Sequence, residues 1–254
     1  MIIAFDFDGT VVDDMRELAD LAVRVTWPWG DYFRPFSGPA ECRWAWLGKP
    51  DQDGDEARST EEPDPSHKPP LERGHINSHI RTNVTGWPSA IRDAYWKTIG
   101  HPFRKQLDLM NRSRDPVDPV VLDALADIYE SQKDAITLAA PAWPDLRGAI
   151  DILDAEGHEL VIVSSTRVEL ILRWLSEHEL DATFTRVFGV QDGGKFLTLA
   201  WLRPDWFVGD ADADDDYAAA VGCGFAAVQR GHYTKSNVYP DLYAVARRLI
   251  DVHA

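Results

Sequence analysis

Apolar residues in the second half of the chain alternate between two spacings. Leu146, Ile150 and Leu153 recur at helical spacing, whereas Glu159–Val163 is a short, mostly apolar run of strand length. The alternation continues with short connections, and it predicts a parallel sheet with helices on both faces. The predicted strands are residues 159–163, 184–190, 205–209 and 225–228, with helical patterns at 146–153, 168–175, 196–202, 217–221 and 240–252.

One further strand is predicted at the start of the chain, far in sequence from the others. Met1–Phe5 is apolar throughout, which is typical of a central strand of a parallel sheet. Residues 14–141 are therefore predicted to be an inserted, mostly helical domain, with helical spacing at Met15–Val25, Pro88–Ile99 and Asp118–Ile136. The predicted fold class is α/β, with a Rossmann-like core of residues 1–13 and 142–254.

The first part of the insertion departs from both regular spacings. Residues 27–70 hold eight of the sixteen prolines and four of the ten tryptophans. Within them, residues 50–66 are acidic and carry almost no large apolar side chain, which predicts a mobile loop. The tryptophans must bury against neighbouring elements, so they indicate an atypical, loop-rich part of the inserted domain.

Net charge and cysteine content exclude several classes of protein. The 254 residues carry 26 Lys and Arg against 42 Asp and Glu, a net charge of −16. This charge repels nucleic acid and anionic membranes, although one local pocket can still bind a small anion. Two cysteines, Cys42 and Cys223, are too few for a disulfide framework. No apolar run reaches membrane-spanning length and no signal peptide is recognised, so we expect a cytoplasmic protein.

Acidic residues follow two of the predicted strands directly. Asp6 and Asp8 come after Met1–Phe5, and Asp210 comes after the strand at 205–209. Ligands of an open parallel sheet bind beyond the carboxyl ends of its strands, and carboxylates gathered there repel unless a cation lies between them. Oxygen ligands without nearby Cys or His favour Mg²⁺. Ser164 and Lys195 add a hydroxyl and an ammonium, so the set predicts a phosphate-processing site.

These residues also form four motifs that resemble those of the haloacid dehalogenase superfamily. Asp6-Phe-Asp8-Gly9-Thr10-Val11 is similar to its first motif, and Val161-Ile-Val-Ser164 to its second. Lys195 is similar to the lysine of the third motif, and Gly209-Asp210-Ala-Asp-Ala-Asp214 to the fourth. The insertion between the first two motifs resembles the cap domain of phosphoglycolate-type phosphatases in this superfamily.

The resemblance implies a phosphatase of small phosphorylated metabolites that works through an aspartyl-phosphate. It implies that Asp6 is the nucleophile and that Asp8 first protonates the leaving oxygen and then activates water. The implied phosphate-binding residues are Thr10, Ser164, Ser165 and Lys195, and the implied Mg²⁺ ligands are Asp6, Asp8 through its carbonyl, Asp210 and Asp214.

The same residues allow other functions and other roles for single side chains. A phosphoryl-transferring mutase would use the same residues, and a non-catalytic binding protein can share the fold. Ser164 is favoured as the phosphate contact by its position at the strand end, with Ser165 as a helix N-cap or a secondary contact. Arg167 could reach the substrate or lie in solvent. The i,i+4 pair His75 and His79 could hold a metal, but without a third ligand nearby it is better read as structural.

Overall fold

The core of the protein is a parallel sheet of six strands. The computed structural model describes residues 1–26, 95–96, 98, 101–111, 117–230 and 233–253. The strands lie in the order β3-β2-β1-β4-β5-β6, and every pair is parallel. Their bounds are β1 Ile2–Phe5, β2 Glu159–Val163, β3 Arg186–Phe188, β4 Trp206–Gly209, β5 Gly224–Val228 and β6 Val238–Tyr239. The predicted α/β fold class is confirmed, with the N-terminal strand at the centre.

Helices cover both faces of this sheet. Ile3 and Phe5 of β1 pack with the helices at residues 146–155, 168–177 and 242–253, whereas Ala4 between them packs with the helices at 194–202 and 212–221 on the opposite face. Burial on both faces explains why the strands read as continuous apolar runs. The helices are α1 Met15–Thr26, α2 Phe103–Met110, α3 Pro119–Ala139, α4 Leu146–Ala155, α5 Val168–Glu177, α6 Gly194–Leu202, α7 Asp212–Val221 and α8 Leu242–His253. None of the helices in the described ranges is long and apolar enough to cross a membrane.

The helices of the predicted insertion form an apolar cluster that also includes Ala211 of the core. Leu18 of α1, Leu107 of α2 and Leu122 of α3 are almost fully buried in it. Two chain segments connect this cluster to the sheet, one near Asp13 and one near Pro141. They lie side by side, because the Asp13 amide donates to the Pro141 carbonyl at 2.9 Å. The predicted domain limits at residues 14 and 141 stay a prediction.

Several elements differ in extent from the sequence prediction. Helix α7 begins at Asp212 rather than Tyr217, since the acidic run forms its first turn, where the helix dipole favours negative charge. Strand β3 is shorter than predicted because the chain turns into a 3₁₀ helix, Val190–Asp192. Helix α2 and strand β6 had no sequence prediction. The predicted mobile loop at 50–66, the tryptophans of residues 27–70, and His75 and His79 lie outside the described residues.

Candidate active site

Three neighbouring strands bring the predicted polar residues to one edge of the sheet. Asp6, Ser164 and Asp210 directly follow β1, β2 and β4, which are adjacent in the sheet. All three are at most 4% exposed. Chain positions separated by more than 150 residues therefore converge because each strand ends at the same level.

Glycine 9 lets the loop after β1 pass close to Asp210. Its φ of +77° lies in the left-handed region, and a Cβ at this position would stand 2.5 Å from Oδ2 of Asp210. Trp143 fixes the same loop by donating from Nε1 to the Gly9 carbonyl at 2.9 Å. A side chain at position 9 would thus press directly on an acidic residue of the site.

Lys195 links two of the buried carboxylates. Its Nζ donates to Oδ2 of Asp6 and to Oδ1 of Asp214, each at 2.7 Å, and all three side chains are buried. Burial disfavours the Lys195 ammonium, but the charges of Asp214 and Asp6 outweigh it and raise the pKa of Lys195. Lys195 therefore stays protonated between its two partners.

The remaining acidic charge at this edge is only partly balanced. Burial raises the pKa of Asp6 well above its usual value, and the Lys195 ammonium opposes that rise. Burial and the neighbouring Asp214 raise the pKa of Asp210 to about 7. Such shifts are typical of carboxylates packed together without a cation between them.

A divalent cation fits this cluster. Oxygen atoms of Asp6, Asp210 and Asp214 lie within 4.8 Å of one another, and all three residues are buried. Within the described residues, Oδ2 of Asp210 and Oδ2 of Asp214 are buried without a hydrogen-bond partner. Oxygen ligands alone and surplus negative charge are the donor set that a hard cation prefers. The buried triad is thus of the kind that holds a metal ion.

The predicted phosphate-binding hydroxyls occupy different positions around the cluster. Thr10 is fully buried and donates to Oδ1 of Asp210 at 3.3 Å. Ser164 is also buried, and its Oγ accepts from the Thr166 amide at 3.0 Å. Ser165 instead lines the cavity in front of the carboxylates. Ser165 is not a helix N-cap, because α5 begins at Val168 and its N-cap is Arg167. Their roles toward phosphate stay predictions.

Asp8 is held by two residues that sequence reasoning missed. Its Oδ2 accepts from Thr166 Oγ1 at 2.5 Å and from Lys133 Nζ at 3.0 Å, and the Lys133 ammonium also donates to Thr166 Oγ1 at 2.6 Å. Burial works to raise the pKa of Asp8, but Lys133 and Thr166 outweigh it and lower that pKa. The sequence does place Lys133 on the buried face of α3, because it follows Leu125 and Tyr129 at helical spacing.

A second contact between α3 and the first loop lies one turn further along. Thr137 donates from Oγ1 to Oδ2 of Asp14 at 2.7 Å, and both side chains are fully buried. Burial raises the pKa of Asp14 well above its usual value, and the charge of Asp8 adds to the rise. Helix α3 therefore holds two acidic residues of the same loop through Lys133 and Thr137.

The insertion also supplies the wall of the cavity that faces these carboxylates. Tyr95 and Tyr129 share a hydrogen bond of 3.1 Å between their hydroxyls, and Phe103 stacks on Tyr129 with ring centroids 3.7 Å apart. His101 also lines the cavity, with its Nδ1 2.8 Å from the hydroxyl of Tyr217 in α7. This wall combines aromatic rings with polar groups, because Gln106, Glu130 and Lys133 line the same cavity.

Two arginines, Arg167, which could have reached the substrate, and Arg104 of α2, form ion pairs away from the cavity. Arg167 forms an exposed ion pair with Asp134 of α3. Arg104 pairs with Asp108 and Asp123 on the surface of α2 and α3. Neither is among the residues that line the cavity.

Comparisons with known proteins agree with this arrangement. The family profile of haloacid dehalogenase-like hydrolases matches residues 1–215. No curated protein sequence matches the chain significantly. A haloacid dehalogenase-like hydrolase from Bacteroides fragilis superposes with a TM-score of 0.60 at 19% identity, over 94% of this chain and 93% of its own.

Two further solved structures share the fold over nearly the whole chain. A hydrolase from Pseudomonas syringae has a TM-score of 0.61 at 15% identity, covering 100% of this chain and 99% of its own. A predicted phosphoglycolate phosphatase from Haemophilus somnus has a TM-score of 0.52 at 14% identity, covering 98% of this chain and 97% of its own. At these identities the structures show the fold alone. The profile match over residues 1–215, with the four motifs at the sheet edge, places the chain in the haloacid dehalogenase-like hydrolase family.

Proposed function

We propose that the protein is a Mg²⁺-dependent phosphatase that hydrolyses small phosphomonoesters through an aspartyl-phosphate on Asp6. The observation that carries this proposal is the pairing of two unlike carboxylates on one loop. Asp6 belongs to the acidic triad and is bonded to Lys195, whereas Asp8, two residues further, is held outside the triad by Lys133 and Thr166. A nucleophile and a proton carrier need such separate surroundings.

In the first step, a carboxylate oxygen of Asp6 attacks phosphorus and the bond from phosphorus to the leaving oxygen breaks. Asp8 in its protonated form donates a proton to that leaving oxygen, whereas Lys133 and Thr166 favour its carboxylate form, which is the form that the second step needs. Lys195, bonded to Asp6 at 2.7 Å, offsets negative charge beside the attacking carboxylate. Ser164, Ser165 and Thr10 are the proposed hydroxyl contacts around the phosphoryl group.

In the second step, water attacks the phosphorus of the aspartyl-phosphate and Asp8 takes its proton. Phosphate leaves and Asp6 is regenerated as a carboxylate, so the cycle consumes one water per ester. We propose that Asp6, the Asp8 carbonyl and Asp210 hold Mg²⁺, with Asp214 beside them. When bound, Mg²⁺ would supply positive charge against the phosphoryl oxygens and the clustered carboxylates.

The cavity wall supports a small substrate. Tyr95, Phe103 and Tyr129 line the same cavity as Asp6, Asp8 and Asp210, and their rings support a compact organic leaving group. The net charge of −16 further disfavours phosphorylated nucleic acid.

Release of phosphate from an aryl phosphate, measured with Mg²⁺ and with a chelator, tests this proposal. We expect turnover with Mg²⁺, its loss on chelation, and its loss in Asp6→Asn. A panel of phosphorylated metabolites would then identify the substrate. Transfer of the phosphoryl group to a second sugar phosphate, with no free phosphate, would indicate a mutase instead. Ligand binding with no turnover of any ester would indicate a binding protein.

A further inference from the structure

The lysine on α3 forms a closed hydrogen-bonded triangle with the proposed proton carrier. Lys133 Nζ contacts Asp8 Oδ2 at 3.0 Å and Thr166 Oγ1 at 2.6 Å, and Thr166 Oγ1 contacts Asp8 Oδ2 at 2.5 Å. The three residues come from the inserted domain, the loop after β2 and the loop after β1. Their meeting point is therefore set by the tertiary fold and not by local sequence.

This triangle restricts the Asp8 side chain strongly. A buried ammonium and a buried hydroxyl both bond the same carboxylate oxygen, so rotation of Asp8 would break two hydrogen bonds and leave Lys133 poorly paired. Leaving a buried charge unpaired is costly, which makes the observed rotamer the preferred one.

Helix α3 is itself anchored beside this contact. Thr137, one turn after Lys133, bonds the buried Asp14 at 2.7 Å. The ammonium of Lys133 is consequently held at Asp8 by a helix that is fixed to the same loop one turn further along.

We propose that Lys133 is a positioning residue, which holds Asp8 at the angle needed to exchange protons with the leaving oxygen and with water. This inference rests on the proposed phosphatase activity and assigns Lys133 no contact with phosphorus. Because proton transfer depends on alignment, loss of the ammonium should act only on steps that Asp8 serves.

The test compares Lys133→Met with wild type on an aryl phosphate and an alkyl phosphate. The aryl leaving group needs little protonation, so its kcat/KM should change less than about threefold, while the alkyl kcat/KM should fall by on the order of 100-fold. The aryl kcat should also fall and the aspartyl-phosphate should accumulate, since Asp8 no longer activates water efficiently.

Asp134→Asn is the matched control, because it removes an exposed ion pair between α3 and Arg167 without touching the cavity. It should keep wild-type constants with both esters. Equal losses on both esters in Lys133→Met would overturn the proposal in favour of a structural role. A raised KM with unchanged kcat would overturn it in favour of direct binding of the leaving group.

A crystal structure of Lys133→Met and the kinetics of Thr166→Val test the same positioning role independently. In a crystal structure of Lys133→Met, Asp8 should have moved out of hydrogen-bond distance of Thr166, and an unmoved Asp8 would contradict positioning. This readout also applies if wild type hydrolyses neither ester, an outcome that refutes the proposed function on its own. If Lys133→Met does not fold, Thr166→Val, which keeps the shape and loses the hydroxyl, should show the same split between aryl and alkyl esters.

Discussion

At the scale of single residues, the structure gives two aspartates on one loop opposite surroundings. Burial raises the pKa of Asp6 well above its usual value, while Lys133 and Thr166 outweigh burial and lower the pKa of Asp8. The two side chains are only two positions apart, yet successive turns of the loop direct them to different partners. The proposed division of labour between these two carboxyl groups rests on their different partners.

The first prediction separates the roles of these two aspartates. Asp6→Asn removes the oxygen nucleophile, so no covalent phosphate should form on the protein. Asp8→Asn should still form the aspartyl-phosphate from an aryl phosphate, whose leaving group needs little protonation, and should hydrolyse it slowly. Mass spectrometry after brief exposure should detect the adduct on the Asp8 variant alone. An adduct on the Asp6 variant, or unimpaired turnover in either, would refute the assignment.

The second prediction concerns the metal. At 100 times its Kd, Mg²⁺ should stabilise the fold by about 2.7 kcal/mol, or roughly 5–10 °C in Tm for a chain of this size. The effect should depend on pH, because the pKa of Asp210 is raised to about 7 without a cation. Protonated Asp210 stabilises the metal-free fold in acid, and that contribution is lost as the pH rises through about 7. In acid, Mg²⁺ must displace the proton of Asp210 before it binds. At one fixed Mg²⁺ concentration, the rise in Tm that Mg²⁺ causes should therefore be larger at pH 8 than at pH 6.

Two variants check the site assigned to that ion. Asp210→Asn should lose most of the response to Mg²⁺ in a thermal melt. Asp216→Asn, which alters a surface contact with Lys235 in the same acidic run, should respond as wild type. A normal response in Asp210→Asn would show that Asp210 is not a ligand.

At the scale of elements, the sequence was most informative where one strand end carries one functional residue. Asp6, Ser164 and Asp210 were placed correctly at strand ends, because buried parallel strands leave an apolar run that ends abruptly in polar residues. The apolar spacing predicted α7 only from residue 217, because its acidic first turn, which begins at Asp212, carries no apolar repeat. The helical spacing places Lys133 on the buried face of α3, but its partner Asp8 lies 125 positions away, so the contact between them could not be predicted.

The third prediction tests the close approach of the loop after β1 to the loop after β4. Gly9→Ala places a Cβ 2.5 Å from Asp210 Oδ2 and also forces alanine into a positive φ. Gly157→Ala is the matched control: its φ is +71° and nothing lies within 4 Å of its Cβ. Both variants should lose about 1–2 kcal/mol from the positive φ. Only Gly9→Ala should also lose its Tm response to Mg²⁺, and equal responses would show that contact with Asp210 is unimportant.

At the scale of the whole molecule, buried polar contacts tie the helices of the insertion to the sheet. Lys133 meets Asp8, Thr137 meets Asp14, and His101 meets Tyr217. The first and third contacts join the predicted insertion to a loop and a helix beside the acidic cluster, and the second fixes Asp14, the first residue of the predicted insertion. Stability of the fold and geometry of the site are therefore linked through the same polar groups.

The last prediction follows from the contact between His101 and α7. Burial, together with the charges of Lys195 and Lys105, lowers the pKa of His101 to about 4. The unfolded chain binds this proton near pH 6.5, so the unfolded state takes up more protons between pH 6.5 and 4 and stability must fall on acidification through that window. The shift corresponds to as much as about 3 kcal/mol.

Denaturant unfolding at pH 7.5 and pH 5 tests this prediction, with saturating Mg²⁺ to keep Asp210 ionised. Between these pH values, the free energy of unfolding should fall less in His101→Gln than in wild type. Tyr217→Phe, which removes the hydrogen bond and keeps the imidazole, should lose stability at both pH values and retain the wild-type dependence on acid. Identical acid dependence in wild type and His101→Gln would show that this histidine does not control the acid limit of the fold.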